Sequence, residues 1–329
     1  MSRVTSAEAF ARVRRREHRV LALLALAAAA TVVAFCVIAL RGNWEYALAI
    51  RARKVAAMVV VGSAVAVSSV LFQTVTNNRV LTPGIMGFDS LFVLIQTLVV
   101  YFFGALALSS ADPRLLFAGQ VVAMVVFAGA LYRWLFDRRS RDLYVLVLVG
   151  VVCGTLFSSL SSLASRLINP NDFVVLQDTL FANFNSVDRD LLAVSAVLVA
   201  VVSLWVVRLF PRLDVLALGR EHALNLGVDH RSVVNQVLVA VAVLVSVATA
   251  LVGPITFLGL LVANVARQLA GASRHRVVVP ASALLAVVAL VGGQLVLERV
   301  FALDTALSVI INFVGGIYFI ALLIREAKR

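Results

Sequence analysis

Charge is scarce in this chain: Asp, Glu, Lys and Arg make up 14% of its 329 residues, against about a quarter in a soluble globular domain. Histidine occurs 4 times and cysteine twice. Cys36 and Cys153 lie in separate apolar runs, without metal-ligand spacing, so they read as two buried thiols rather than a disulfide framework. No Gly-x-x-x-x-Gly-Lys-Ser/Thr loop is present, so the chain is not expected to hydrolyse ATP by itself, and no His-Glu-x-x-His is present either. These shortages exclude a soluble enzyme, a disordered chain and a secreted disulfide scaffold.

Apolar sequence is what the chain has in abundance. Hydrophobic residues make up 62% and the mean hydropathy is +1.02. A membrane span uses roughly 20 apolar residues, so this composition can build about ten. Lys and Arg number 29 against 17 acids, a net charge of +12. In a soluble protein that excess would suggest nucleic acid. Here most charges fall between apolar runs, so they are read as setting orientation in the membrane, with no nucleic-acid partner.

Residues 1–19 form a basic arm carrying Arg3, Arg12, Arg14, Arg15, Arg16 and Arg19. The run Val20–Leu40 follows and ends without a convincing small-x-small cleavage site, so it is read as a retained first span. Further runs lie near 55–75, 88–108, 114–136, 143–168, 190–210, 232–252, 254–271, 277–299 and 305–324. The total is ten, with residues 20–325 as one all-α transmembrane domain. The separation of the seventh and eighth runs rests on a tight turn at Gly253-Pro254, with the proline in the first turn of the eighth helix. Ten spans put both termini, and the basic loops near 77–87, 133–142, 208–231 and 267–276, on one side, which the positive-inside rule makes cytoplasmic. The expected location is therefore the cell membrane, multi-pass, with both termini inside.

Few residues suggest chemistry at depth. His18, His222, His230 and His275 all map to the cytoplasmic side, away from the core. Asp89, at the start of the third span, is expected near the interface rather than as a proton or metal relay. Gly150 and Gly154 form a Gly-x-x-x-Gly pair followed by Ser158, Ser159, Ser161 and Ser162; such residues either let helices pack closely or line a polar path. The stretch Leu216–Val228, within the cytoplasmic loop of residues 211–231, can form a short amphipathic helix between Gly219 and Gly227. Such a helix either lies on headgroups or docks on a partner that supplies the missing nucleotide site.

Four stretches together resemble the FecCD-type permeases, the membrane subunits of ABC importers for iron–siderophore complexes, haem and cobalamin. Leu218-Gly219-Arg220-Glu221-x-Ala223-x-x-Leu226-Gly227 resembles the family's coupling segment. Gly253-Pro254-Ile255-x-Phe257-x-Gly259 through Arg267 is similar to Gly-Pro-Ile-x-Phe-x-Gly-Leu-x-x-Pro-His-x-x-Arg, with Ala263-Asn264 in place of Pro-His. His275-Arg276-x-x-x-Pro280 and Asn77-Asn78-x-x-x-Thr82-Pro83-x-Ile85-Met86-Gly87 are the other two. The run after Gly87 looks most like the second permease of catecholate, petrobactin-like systems.

The resemblance implies a non-catalytic transport subunit with no cofactor. Its implied partners are ABC ATPase subunits, a second permease copy or paralogue, an extracytoplasmic substrate-binding protein and a ferric-siderophore ligand. It assigns ATPase coupling to Gly219, Glu221, Ala223, Leu226 and Gly227, and binding-protein docking to Arg51, Lys54 and Arg299. The translocation path falls to Gly150, Ser158, Ser159, Ser162 and Asn312. The ferric ion would stay inside its chelator, so no metal ligands are expected. Cobalamin or haem import by the same machinery is the alternative within transport. An ion-coupled secondary transporter is the alternative outside it, and would call for buried carboxylates and discontinuous helices.

Overall fold

The computed structural model describes residues 6–38, 44–106, 111–137, 143–271, 274–301 and 307–327. Among them every regular element is helical: α1 (Ser6–Val37), α2 (Trp44–Val75), a 3-10 turn (Pro83–Met86), α3 (Phe88–Phe103), α4 (Pro113–Asp137), α5 (Leu143–Ser165), α6 (Pro170–Leu180), α7 (Arg189–Val207), α8 (Phe210–Leu216), α9 (Arg220–Asn225), α10 (His230–Val252), α11 (Leu258–Ala270), α12 (His275–Val296), a wide turn (Leu297–Phe301) and α13 (Leu307–Ala327). Helices satisfy their own backbone groups, as hydrocarbon requires. Seven are long and apolar enough to cross a membrane, and α3, α11 and α13 are shorter apolar helices beside them.

Two of the spans form the centre. α2 and α10 are buried along most of their length, and α2 packs against both α10 and α12. Small residues make this possible: a Cβ at Gly62 would sit 3.2 Å from the Cβ of Ala286, and Ala57, Ala64 and Ala66 on α2 are fully buried. α1 lies outside this centre against α12, mostly exposed, as a span with lipid on one side would be. α4 and α7 flank α10, while α3 pairs with α5.

The short helices begin inside the bundle rather than at its edge. Met86 and Gly87, just before α3, press on Gly150 and Gly154 of α5, so closely that a methyl added at either glycine would lie 3.0 Å from their backbone. Those glycines lie roughly two to three turns along α5, about 10–16 Å from its start. Phe257, just before α11, packs on Gly315 about two turns along α13. The expected eighth span therefore starts later than 254. Gly253 takes a φ of 101°, open to glycine without strain. Pro254 then stays outside the helix, and α11 starts at Leu258. The Ala263-Asn264 substitution leaves α11 unbroken, and Asn264 Nδ2 donates to the carbonyls of Arg79 and Leu260, each at 3.0 Å.

Candidate functional site

One end of the bundle gathers α8, α9, the end of α2, the end of α11 and the start of α12. α8 is an anchor, with Phe210, Leu213 and Leu216 buried. α9 holds on through one residue, Ala223, which is fully buried. The turns bounding α9 are glycines with φ of 99° (Gly219) and 77° (Gly227). At the second, Val228 N–H donates to Ala223 O at 2.9 Å and Gly227 N–H to Leu224 O at 3.0 Å, the paired closure that a left-handed glycine permits. Glu221, Leu218, Leu224 and Leu226 are consequently turned outward, the three leucines 53–62% exposed. Apolar side chains held out on so short a helix offer a ridge to another surface.

A chain of hydrogen bonds ties α8, beside this ridge, to the central helices. Asp214 on α8 accepts from the backbone N–H of His275 at 2.8 Å, and its carboxylate lies 2.7 Å from His275 Nδ1. His275 Nε2 is 2.8 Å from Thr74 Oγ1, near the end of α2. Histidine 275 was expected away from the core; it lies at the expected end of the bundle but is 3% exposed, because packing of α8 under α12 covers it. At the same end Arg267 donates to Gln73. These partners were invisible to sequence reasoning, since they lie 61, 194 and 201 positions apart.

Ser158, Ser159 and Ser162, with Thr155 and Arg166, line an open groove of about 430 Å³ on α5. They recur at helical spacing, so they occupy one exposed face. Ser161, on the opposite face, is buried, 2.7 Å from Thr97 on α3. The other two expected path residues lie elsewhere. Gly150 is a contact point for Met86, which favours its packing reading. Asn312 Oδ1 accepts from Phe257 N–H at 3.5 Å, holding the turn before α11.

The three basic residues expected at the opposite end differ in availability. Arg51 Nη1 donates to the carbonyls of Phe35, Cys36 and Ile38 at 2.9–3.2 Å, satisfying the end of α1. Lys54 Nζ is 3.2 Å from Glu298 Oε1, which also accepts from Gln294 at 2.7 Å. Arg299 is exposed. Sequence reasoning passed over Arg53, which is also exposed and follows Arg51 too closely to share its face.

Asp89 is deeper than expected. Its carboxylate accepts from Thr256 Oγ1 at 2.9 Å, and it lines a cavity of about 30 Å³ between the turns that open α3 and α11. No cluster of three or more metal-ligating side chains occurs among the described residues.

The sequence matches the FecCD transport family over residues 20–325. It is 50% identical to the petrobactin import system permease protein YclO of Bacillus subtilis (strain 168) over 287 residues, covering 87% of this chain and 91% of that protein. It is 35% identical to the petrobactin import system permease protein FatC of Bacillus anthracis, covering 83% and 77%. The vitamin B12 import system permease protein BtuC of Salmonella paratyphi A is 28% identical, covering 85% and 83%. A metal-chelate type ABC transporter solved in an inward-facing conformation shares the fold, with a TM-score of 0.80 at 20% identity over 93% of this chain and 99% of that one. A helical bundle of membrane-crossing length, a family match over nearly its whole extent and relatives at 50% and 35% identity lead to one conclusion: this multi-pass membrane protein belongs to the FecCD transport family.

Proposed function

We propose that the chain is the membrane subunit of an ABC importer for a ferric siderophore of the petrobactin class, assembled as a pair with a second copy or a paralogue. The observation that carries the transport mechanism is α9. It presents Glu221, Leu224 and Leu226 outward while Ala223 and the chain from Asp214 through His275 to Thr74 fix its base. A cytoplasmic ATPase gripping that ridge moves α8, and α8 moves the starts of α12 and the end of α2. The α9 end, where α1 begins and α13 ends, faces the cytoplasm. The permease domain spans 20–325. The substrate class rests on the two petrobactin permease relatives.

The α5 groove supports a path between two subunits. Hydroxyls and a guanidinium exposed on a membrane helix require water or protein beside them. A cavity shared by two such faces would pass a large polar chelate, with Ser158, Ser159 and Ser162 as its wall. At the other end Arg299, joined by Arg53, receives acidic residues of a substrate-binding protein, while Arg51 and Lys54 brace the surface behind them. No residue performs covalent chemistry on the cargo.

Uptake of radio-iron supplied on a panel of siderophores to iron-starved cells, with and without the gene, tests the reading. Loss confined to catecholate-class chelates and restored by the gene is expected. Unchanged iron uptake with loss of cobalamin uptake would overturn the substrate class in favour of the function of the vitamin B12 permease relative.

A further inference from the structure

The cavity at Asp89 lies where two broken stretches of backbone meet. One is the turn from Thr82 to Gly87 that opens α3; the other runs from Gly253 to Phe257 before α11. α2 and α10 close the sides with Ser68, Ser69 and Thr249. About 30 Å³ is room for one occupant of the size of a water or smaller. We propose that this cavity binds a single monovalent cation of sodium's size, with Asp89 as its counter-charge and the surrounding hydroxyls as its ligands.

Charge is the first ground. A carboxylate within the spans is costly unless something balances it. No Lys, Arg or His lines the cavity, and the partner found for Asp89 among the described residues is the neutral hydroxyl of Thr256. Within the lining no positive side chain balances an ionised Asp89.

The oxygen inventory is the second. Ser69, Thr82 and Thr249 are only 2%, 3% and 5% exposed, and their hydroxyls make no hydrogen bond among the described residues. Buried hydroxyls ordinarily find a partner. Thr256 donates to Asp89, and Ser68 donates to Val65 O at 3.0 Å, so each oxygen keeps lone pairs for a cation. The polar side-chain atoms of the lining are all oxygens, a set that does not suit the softer transition metals. One carboxylate is also too little for a calcium ion, which takes ~6–8 oxygens and commonly several carboxylates. A cation here would pin the starts of α3 and α11 to each other, a role unrelated to which chelate is carried.

The test uses the purified permease–ATPase assembly in lipid nanodiscs. Its melting temperature is measured in sodium chloride and in N-methylglucamine chloride at equal ionic strength, alongside binding of ²²Na⁺. Wild type is expected to show a saturable, sodium-specific rise in melting temperature and displaceable ²²Na⁺. Asp89→Asn should lose both, while Asp178→Asn, altering an exposed carboxylate, should keep them. If Asp89→Asn fails to assemble, the pair Ser69→Ala and Thr249→Val keeps the charge and should weaken sodium binding about tenfold, equivalent to ~1.4 kcal/mol. Absence of a sodium-specific shift and of ²²Na⁺ binding in wild type would overturn the proposal, as would undiminished binding in Asp89→Asn or, failing that variant, in the hydroxyl pair. Iron uptake enters none of these readouts, so the site and the importer reading fail separately.

Discussion

Single residues divide into those whose role follows from their type and those whose role follows from their neighbours. Gly150 and Gly154 belong to the first group: their spacing is read as close packing or a polar path, and the backbone of Met86 and Gly87 fills the space a side chain would need. Gly154→Ala places a methyl 3.0 Å from Gly87 Cα, with backbone rather than a movable side chain in the way. It should lower the stability of the purified protein by about 1–3 kcal/mol, the usual range for overpacking. Gly129→Ala, in a helix interior where the added methyl meets nothing within 4 Å, should not lower the unfolding midpoint. Lys54 belongs to the second group. Its type suggested a docking cation, but Glu298 lies 244 positions away in sequence and 3.2 Å away in space. A double-mutant cycle of Lys54→Met and Glu298→Gln should show a coupling of about 1 kcal/mol. Additive effects would return Lys54 to the docking surface. Asp89 and His275 were misjudged for the same reason: nothing local to either states how deeply its surroundings will bury it.

Among elements, α9 was the most legible. Gly219 and Gly227 bracket it as the sequence implied, because both positions adopt a positive φ that favours glycine. Its attachment was not legible, since the anchor comes from α8, α12 and α2. That division predicts two distinct phenotypes. Glu221→Arg alters the exposed ridge alone; membrane levels and ligand-free folding should be normal, with ATP hydrolysis by the assembly no longer coupled to uptake. Asp214→Asn strikes the connection to His275 and removes the charge facing it. It should leave ATPase binding intact while reducing uptake, and it should also lower the melting temperature, which Glu221→Arg should not. Equal melting shifts in both variants would sink the assignment of ridge and anchor. The eighth span is expected from residue 254, but α11 starts at Leu258 because the apolar run begins in the turn before it. Hydropathy does not distinguish an apolar residue in a helix from one in the irregular segment preceding it.

For the molecule as a whole, seven long and three shorter apolar helices match the ten apolar runs in the sequence. Composition sufficed for that count, because the bilayer fixes span length. What composition could not show is which helix surfaces meet lipid. Ser159 and Val201 are both exposed, yet the first shares a groove with an arginine and the second sits among exposed valines of α7. With Cys36 and Cys153 replaced, a cysteine at Ser159 should react with a charged, membrane-impermeant thiol reagent in the assembled importer. One at Val201 should stay unmodified. Equal labelling would remove the groove from the transport path. Docking at the far end should respond to Arg299→Glu with weaker binding-protein affinity, the loss shrinking as salt screens the contact. The hydroxyl-bearing face of α5 has a further implication for the cell. A lone subunit inserted in a bilayer would turn that face toward hydrocarbon, at a cost repeated for every unpaired copy. In the paired assembly proposed above, an unpaired chain is therefore expected to be less stable in the membrane than a paired one.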